Sequence, residues 1–199
     1  LRPLEKVVWS VVGSGGFTDP RETEEVLGLA KTLPNFAGIM LDDFFTGKAE
    51  GKRAQWTVAE LESIRKRLRA IRSDFQIMVT LYYRHVDLPI QDYLELIDVV
   101  TLWGGPSDLP NLEANLERVE KAAPRQRKML GCYLADFSKA SGLPVPLMKL
   151  QCETGLRWLK EKRIQGMIFL ANTLADFGFE SVDWVRKWIA EVADVKIPD

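Results

Sequence analysis

Histidine occurs once in the 199 residues and cysteine twice. A zinc centre needs three or four nitrogen and sulfur ligands brought together, so His85, Cys132 and Cys152 make one improbable, and no metal or other cofactor is expected. Two cysteines, one in a strand-like and one in a helix-like segment, are also too sparse for a disulfide framework, so they leave the compartment undetermined. A formal net charge of −1 supplies no overall field toward nucleic acid or an anionic membrane, and neither is expected as a partner. Long apolar runs are missing as well. Val99–Trp103 and Met167–Ala171 are strand-length, well short of the roughly 20 residues of a spanning helix. Two catalytic signatures are absent: Gly47-Lys48 continues into Ala49 instead of a Walker Ser or Thr, and no Gly-x-Ser-x-Gly occurs.

What is present is ordinary globular material. Hydrophobic residues at 46% and charged residues at 28% exclude a disordered or fibrous chain, and the length suits one domain over residues 1–199. Apolar runs recur at Val7–Val12, Ala37–Asp42, Gln76–Tyr83, Val99–Trp103, Met129–Ala135 and Gly166–Ala171. Their hydrophobicity is nearly continuous, the mark of parallel strands covered on both faces. Amphipathic spacing predicts helices over Glu22–Leu33, Val58–Ile71, Leu109–Ala122, Leu147–Lys160 and Glu180–Val192, with a short one within Asp87–Leu96. Asp19 followed by Pro20, and Thr57 with Glu60 three residues on, read as helix starts. Trp158, Trp184 and Trp188 fall on helices and are expected to pack, while Glu153 should face solvent.

Six βα units fit either most of a (β/α)8 barrel or a doubly wound parallel sheet. The longer loops follow strands rather than helices, as at Phe44–Gln55, and polar and aromatic residues gather at strand ends, which favours the barrel. Eight strands complete that fold, so two βα units are expected upstream of Leu1. A chain beginning with Leu1 is also compatible with a removed signal peptide, and hence with a secreted or periplasmic location.

Chemistry-bearing residues cluster at the carboxyl ends of these strands. Gly38-Ile39-Met40-Leu41 ends in Asp42 and Asp43, where like charge and partial burial can raise one pKa enough for general-acid work. Strand parity leaves open which of the two points inward. Gly131-Cys132-Tyr133-Leu134-Ala135 leads to Asp136 as a second carboxylate. Tyr82, Tyr83, Arg84 and His85 end another strand, and Trp103 a further one; flat rings beside acids and Arg84 suit the faces and hydroxyls of a sugar. Tyr133, Asn172 and Asp176 are expected on the same rim.

Asp42-Asp43 and Asp136, at the expected fourth and seventh strands, resemble the acidic strand termini of barrel glycoside hydrolases, although the Asn-Glu-Pro and Asp-x-x-Asp-x-Asp-x-Glu signatures are absent. The resemblance implies hydrolysis of a glycosidic bond in a carbohydrate substrate. Asp43 would be the acid and Asp136 the nucleophile or base, with Asp42 the substitute for Asp43. A carboxyl separation of about 5–5.5 Å would suit a retaining enzyme and about 6.5–9.5 Å an inverting one. The alternatives are a noncatalytic barrel binding a saccharide or a protein and, on the strength of Gly13-Ser14-Gly15-Gly16, a nucleotide-binding α/β domain. The third fingerprint glycine is missing from that loop, its place taken by Thr18.

Overall fold

A computed structural model describes residues 3–171 and 173–197. Six strands are parallel: β1 (Val7–Val12), β2 (Phe36–Leu41), β3 (Gln76–Tyr82), β4 (Val99–Trp103), β5 (Arg127–Tyr133) and β8 (Met167–Leu170). They lie in the sheet in chain order. A doubly wound sheet must reverse strand order at a switch point, and no reversal occurs, so the architecture is α/β of the (β/α)8-barrel type, with six βα units. Two further strands, β6 (Ala135–Asp136) and β7 (Ser141–Gly142), form a small antiparallel hairpin. The helices are α1 (Pro20–Thr32), α2 (Val58–Ile71), α3 (Gln91–Leu94), α4 (Leu112–Ala122), α5 (Val145–Lys160) and α6 (Glu180–Val192).

The chain forms two compact units, one comprising residues up to Thr101 with Lys121–Gln126, the other Leu102–Glu120 with the residues from Arg127 on. In the first unit, β2 and β3 are buried along nearly their whole length, as two-sided coverage requires. Val11, Val12, Ile39, Leu41, Ile77, Val79 and Leu81 are each 1% exposed or less, and α1 and α2 contribute Val26, Leu27, Leu61 and Leu68 to the unit's core. β1 is only half-covered in its middle, because it ends the sheet and lacks a neighbour on one side. In the second unit β8 is the other end strand, and all four of its residues are half-exposed.

Local signals explain the helix boundaries. Asp19 caps α1 by accepting from the Arg21 amide at 2.8 Å, with Pro20 at the first helical position. At α2, the Thr57 hydroxyl accepts from the Glu60 amide at 3.2 Å while the Glu60 carboxylate accepts from the Thr57 amide at 2.7 Å, a reciprocal capping box. Most elements shift by one or two residues from the sequence reading, and two of the differences have a local cause. Leu109–Asn111 is a separate 3-10 turn containing Pro110, and α4 starts only at Leu112. The strand expected over Met129–Ala135 starts at Arg127 and stops at Tyr133, since Ala135 and Asp136 pair instead with Gly142 and Ser141. Trp158 and Trp188 are buried by their helices and Glu153 faces solvent, as their spacing implied.

In the second unit, Glu113 gathers Arg157, Arg163 and the Trp158 indole, and these three donors hold its carboxyl down at about 2. In the first unit, the capping box yields a direct test. Thr57→Ala should lower unfolding stability by about 1 kcal/mol, and Thr57→Asp should recover most of it, measured by urea denaturation. Equal stability of wild type and Thr57→Ala would show that the box contributes nothing.

Candidate active site

Within the first unit, parallel pairing sends the carboxyl ends of β1, β2 and β3 the same way. The register sets Leu41 beside Val79, so one step further Asp42 lies beside Thr80. The Thr80 hydroxyl donates to Asp42 Oδ1 at 2.9 Å, and the Asp43 amide donates to the same oxygen at 3.0 Å. Two residues along β3, on the same face as Thr80, the Tyr82 hydroxyl donates to Asp43 Oδ1 at 2.6 Å.

In a regular strand, adjacent side chains diverge to opposite faces. Asp43 breaks that alternation with a left-handed backbone (φ 43°), a conformation Asp tolerates better than most residues, and both acids therefore meet hydroxyls from one face of β3. A third partner comes from the β1–α1 loop. The Gly15 amide donates to Asp43 Oδ2 at 2.7 Å, with Gly15 itself at φ 69°. The glycine loop thus turns its amide to a carboxylate of the protein, and α1 opens four residues beyond it at Pro20, which removes the nucleotide-loop reading of Gly13–Gly16.

The two acids differ in environment. Burial is the main influence on Asp42 and raises its pKa; the Thr80 hydrogen bond opposes this, and the charge of Asp43 adds to it. Asp43 has both oxygens occupied as acceptors. His85 follows in a 3-10 turn over Tyr83–His85, only 3% exposed, edge-on to Tyr82 at 5.5 Å and to Phe45 at 6.3 Å. Burial lowers its pKa, and the nearby Arg84 charge acts in the same direction, so the ring is neutral at neutral pH. Its Nδ1 meets no hydrogen-bond partner among the described residues. Arg84 is exposed and lays its guanidinium over the Tyr82 ring at 4.2 Å, whereas Tyr83 is buried in the core. Asp42, Asp43, Tyr82, Arg84 and His85 therefore form one constellation. The β2–α2 loop beside it is a short excursion closed by the Phe45–Ala54 bridge and the Thr46 amide on the Arg53 carbonyl at 2.9 Å.

The second unit holds the remaining candidates. The Trp103 indole lies flat against Gly131, where a Cβ would come within 2.1 Å of the ring, and it tilts against Tyr133 at 4.8 Å. Phe137, which sequence reasoning passed over, extends this aromatic row; it packs edge-on to Tyr133 at 5.3 Å and is 57% exposed. Asp136 is buried, and its carboxylate accepts from the Ser138 hydroxyl at 2.6 Å and pairs with Lys139 at 3.3 Å. The Ser138 bond is the chief reason its pKa is lowered. It belongs to the β6–β7 hairpin instead of ending β5 directly. Asp176 is exposed in a 3-10 turn over Thr173–Asp176 and does not cap α6, which starts after Phe179 without a side-chain cap. Asn172 lies outside the described residues.

Thr80 and Gly15 also escaped the sequence reading. A hydroxyl inside the apolar run of β3 was the available signal for Thr80; the Gly15 amide left none, because any backbone can supply one. Among the described residues no cluster of three or more His, Cys, Asp or Glu side chains could hold a metal ion. Burial lifts the Cys132 thiol well above its ordinary value and pushes Cys152 up to about 12, leaving both free cysteines protonated at neutral pH. Among the described residues no helix is long and apolar enough to cross a membrane.

No family model and no curated protein sequence matches the chain. Solved structures do. A protein assigned as an α-L-fucosidase from Bacteroides thetaiotaomicron aligns with a TM-score of 0.56 at 9% identity, over 89% of this chain and 60% of its own. The glycoside hydrolase domain of PgaB (BpsB) from Bordetella bronchiseptica gives 0.54 at 16%, over 93% and 66%. The β-glucuronidase of Bacteroides uniformis gives 0.51 at 12%, over 81% and 23%. At such identities the likeness defines the fold alone, and it places the chain among TIM-barrel-type proteins. The chain spans 60% and 66% of the first two structures.

The raised pKa of Asp42 carries a stability consequence. Between the ordinary carboxylate value and the raised folded one, the folded chain binds more protons than the unfolded chain, so unfolding free energy falls as pH rises through that window. Asp42→Asn, which removes the buried charge, should gain stability relative to wild type as pH increases from about 4 to about 7. Urea unfolding across that range checks this, and a pH-independent difference would contradict the burial of Asp42.

Proposed function

We propose that this chain is the acid-bearing part of a carbohydrate-active barrel enzyme that cleaves a glycosidic bond, with Asp42 as the proton donor. The observation carrying this reading is the pairing of two adjacent strand-end carboxylates in unlike environments. Asp42 is desolvated, with its pKa raised, and Asp43 is fixed as an acceptor by Tyr82 and Gly15. A desolvated carboxyl is the kind of group that can carry a proton for transfer to a leaving oxygen. The left-handed backbone at Asp43 adds weight, since such conformations concentrate at functional sites. The assignment exchanges the order read from the sequence, where Asp43 led and Asp42 was its substitute.

In this reading Asp42 protonates the departing glycosidic oxygen, and Asp43, oriented by Tyr82, stabilises positive charge developing on the sugar ring. The exposed Arg84 then binds hydroxyls, and the neutral His85, buried edge-on to Tyr82, supports that ring from within. The resemblance of the fold to the fucosidase-assigned protein, the PgaB domain and the β-glucuronidase supports a carbohydrate substrate without specifying it. A role for Asp136 as nucleophile or base is a separate part of the proposal, supported by its lowered pKa.

The test is hydrolysis of a panel of aryl glycosides and oligosaccharides. Asp42→Asn should reduce kcat about 10²- to 10⁴-fold, the usual worth of a positioned general acid. Substrates with good leaving groups, which need little protonation, should lose less. Tyr82→Phe should impair turnover while leaving the protein folded, and Asp136→Asn tests the second carboxylate independently. Undiminished turnover in Asp42→Asn would overturn its role. Saccharide binding with no turnover of any substrate by the wild type would leave a noncatalytic barrel.

A further inference from the structure

A groove of about 280 Å³ lies between the starts of α1 and α2 in the first unit, near the acid pair but not part of it. Its wall contains Trp56 and the hydroxyl-bearing residues Thr18, Thr23 and Ser63, with the Glu24–Arg67 ion pair at one side. Both loops leaving the acids lead there. The β1–α1 loop is held to Asp43 by the Gly15 amide and runs on to Thr18. The β2–α2 loop starts at Asp43 and ends at Trp56, and the two loops touch where Gly16 packs so closely that a Cβ would fall 2.0 Å from the Gln55 amide nitrogen. Phe44, next to Asp43, packs edge-on to the Trp56 ring at 6.0 Å, and the Tyr93 hydroxyl donates to the Trp56 backbone carbonyl at 3.0 Å, which anchors the main chain that carries the indole.

We infer that this groove is a sugar-binding subsite for a neighbouring residue of an uncharged oligosaccharide, with one pyranose ring stacked on Trp56. The inference rests on the proposed carbohydrate activity and adds to it a substrate class, a neutral chain rather than a single glycoside. An indole with hydroxyl donors around it matches the apolar face and hydroxyl rim of a sugar ring. The volume, just below the range of about 300–1,000 Å³ for whole ligand sites, suits one ring and not several. Charge argues against an anionic sugar. Arg67 is already engaged in two short bonds to Glu24, at 2.8 and 2.6 Å, and the remaining charged groups of the wall, Asp19 and Glu60, are carboxylates.

Isothermal titration of the full chain with cellotetraose, xylotetraose, mannotetraose, chitotetraose and tetragalacturonate tests this. At least one neutral tetraose should bind, and tetragalacturonate should not. Trp56→Ala should weaken binding about tenfold, roughly the worth of one aromatic stacking contact, while Trp56→Phe keeps most of it. Ser63→Trp, at an exposed position on the wall, should block the groove without disturbing the core and gives an independent variant should Trp56→Ala fold poorly. Failure of every neutral tetraose to bind, binding unchanged in both Trp56→Ala and Ser63→Trp, or preference for tetragalacturonate would each overturn the subsite. Failure of the catalytic reading looks different: groove-dependent binding persists with no turnover.

Discussion

A strand buried on both faces cannot end in a carboxylate without a partner waiting for it, and the end of β2 is governed by that constraint. Leu41 is fully buried, and the next residue is an acid whose charged form is penalised by the same packing. The parallel register with β3 meets the demand by bringing Thr80 alongside Asp42 and Tyr82 alongside Asp43. The left-handed turn at Asp43 is the geometric means, since it cancels the alternation that would otherwise send one acid away. Hydrogen bonds from the Thr80 hydroxyl and the Asp43 amide offset part of the desolvation and leave the Asp42 pKa raised, so packing and the proposed proton transfer share one origin.

The loops above this strand end are organised by the same pair. The glycine-rich segment after β1 donates its Gly15 amide to Asp43, and Gly16 leaves room for Gln55 of the following loop. Phe44 and Phe45, directly after the acids, are buried against Trp56, Tyr93 and His85. Apolar anchors on one side of two carboxylates, with hydroxyl and amide donors on the other, make a rigid corner. Rigidity of this kind favours catalysis by orientation, because donors already in place need no reorganisation when charge develops.

In the second unit the stabilising logic differs. Trp103, Tyr133 and Phe137 form a row of rings, with a glycine at position 131 because the indole occupies the space of a side chain. Farther along the chain, Arg163 engages Glu113 and Glu120 together. Asp136 is satisfied by Ser138 and Lys139 within its own turn, a sufficient structural reason for its burial. Asp42, with its charged form under penalty, lacks an equivalent local explanation, which is why it carries the greater functional weight.

The sequence by itself determined the strand and helix content, since continuous apolar runs and 3.6-residue spacing follow from burial on two faces and on one. The caps at Asp19 and Thr57 were legible for the same reason: the groups involved are three residues apart or fewer. It also marked Asp42-Asp43, because two acids closing an apolar strand are conspicuous without any structure. Tertiary structure decided what local patterns cannot hold. How far the desolvation of Asp42 is offset depends on Thr80, 38 residues away, and Asp43 is fixed as an acceptor by Tyr82 and Gly15, 39 and 28 residues away. Tyr82 and Tyr83 are indistinguishable by sequence, yet Tyr82 closes β3 with its hydroxyl on Asp43 while Tyr83 opens the 3-10 turn and is buried in the core. The departure of Asp136 from β5 into a hairpin was equally invisible, since Ala135 and Asp136 read as a continuation of the strand until Ser141 and Gly142 return to pair with them. Partners distant in the chain set burial and register, and burial sets the charge state on which the proposed chemistry turns.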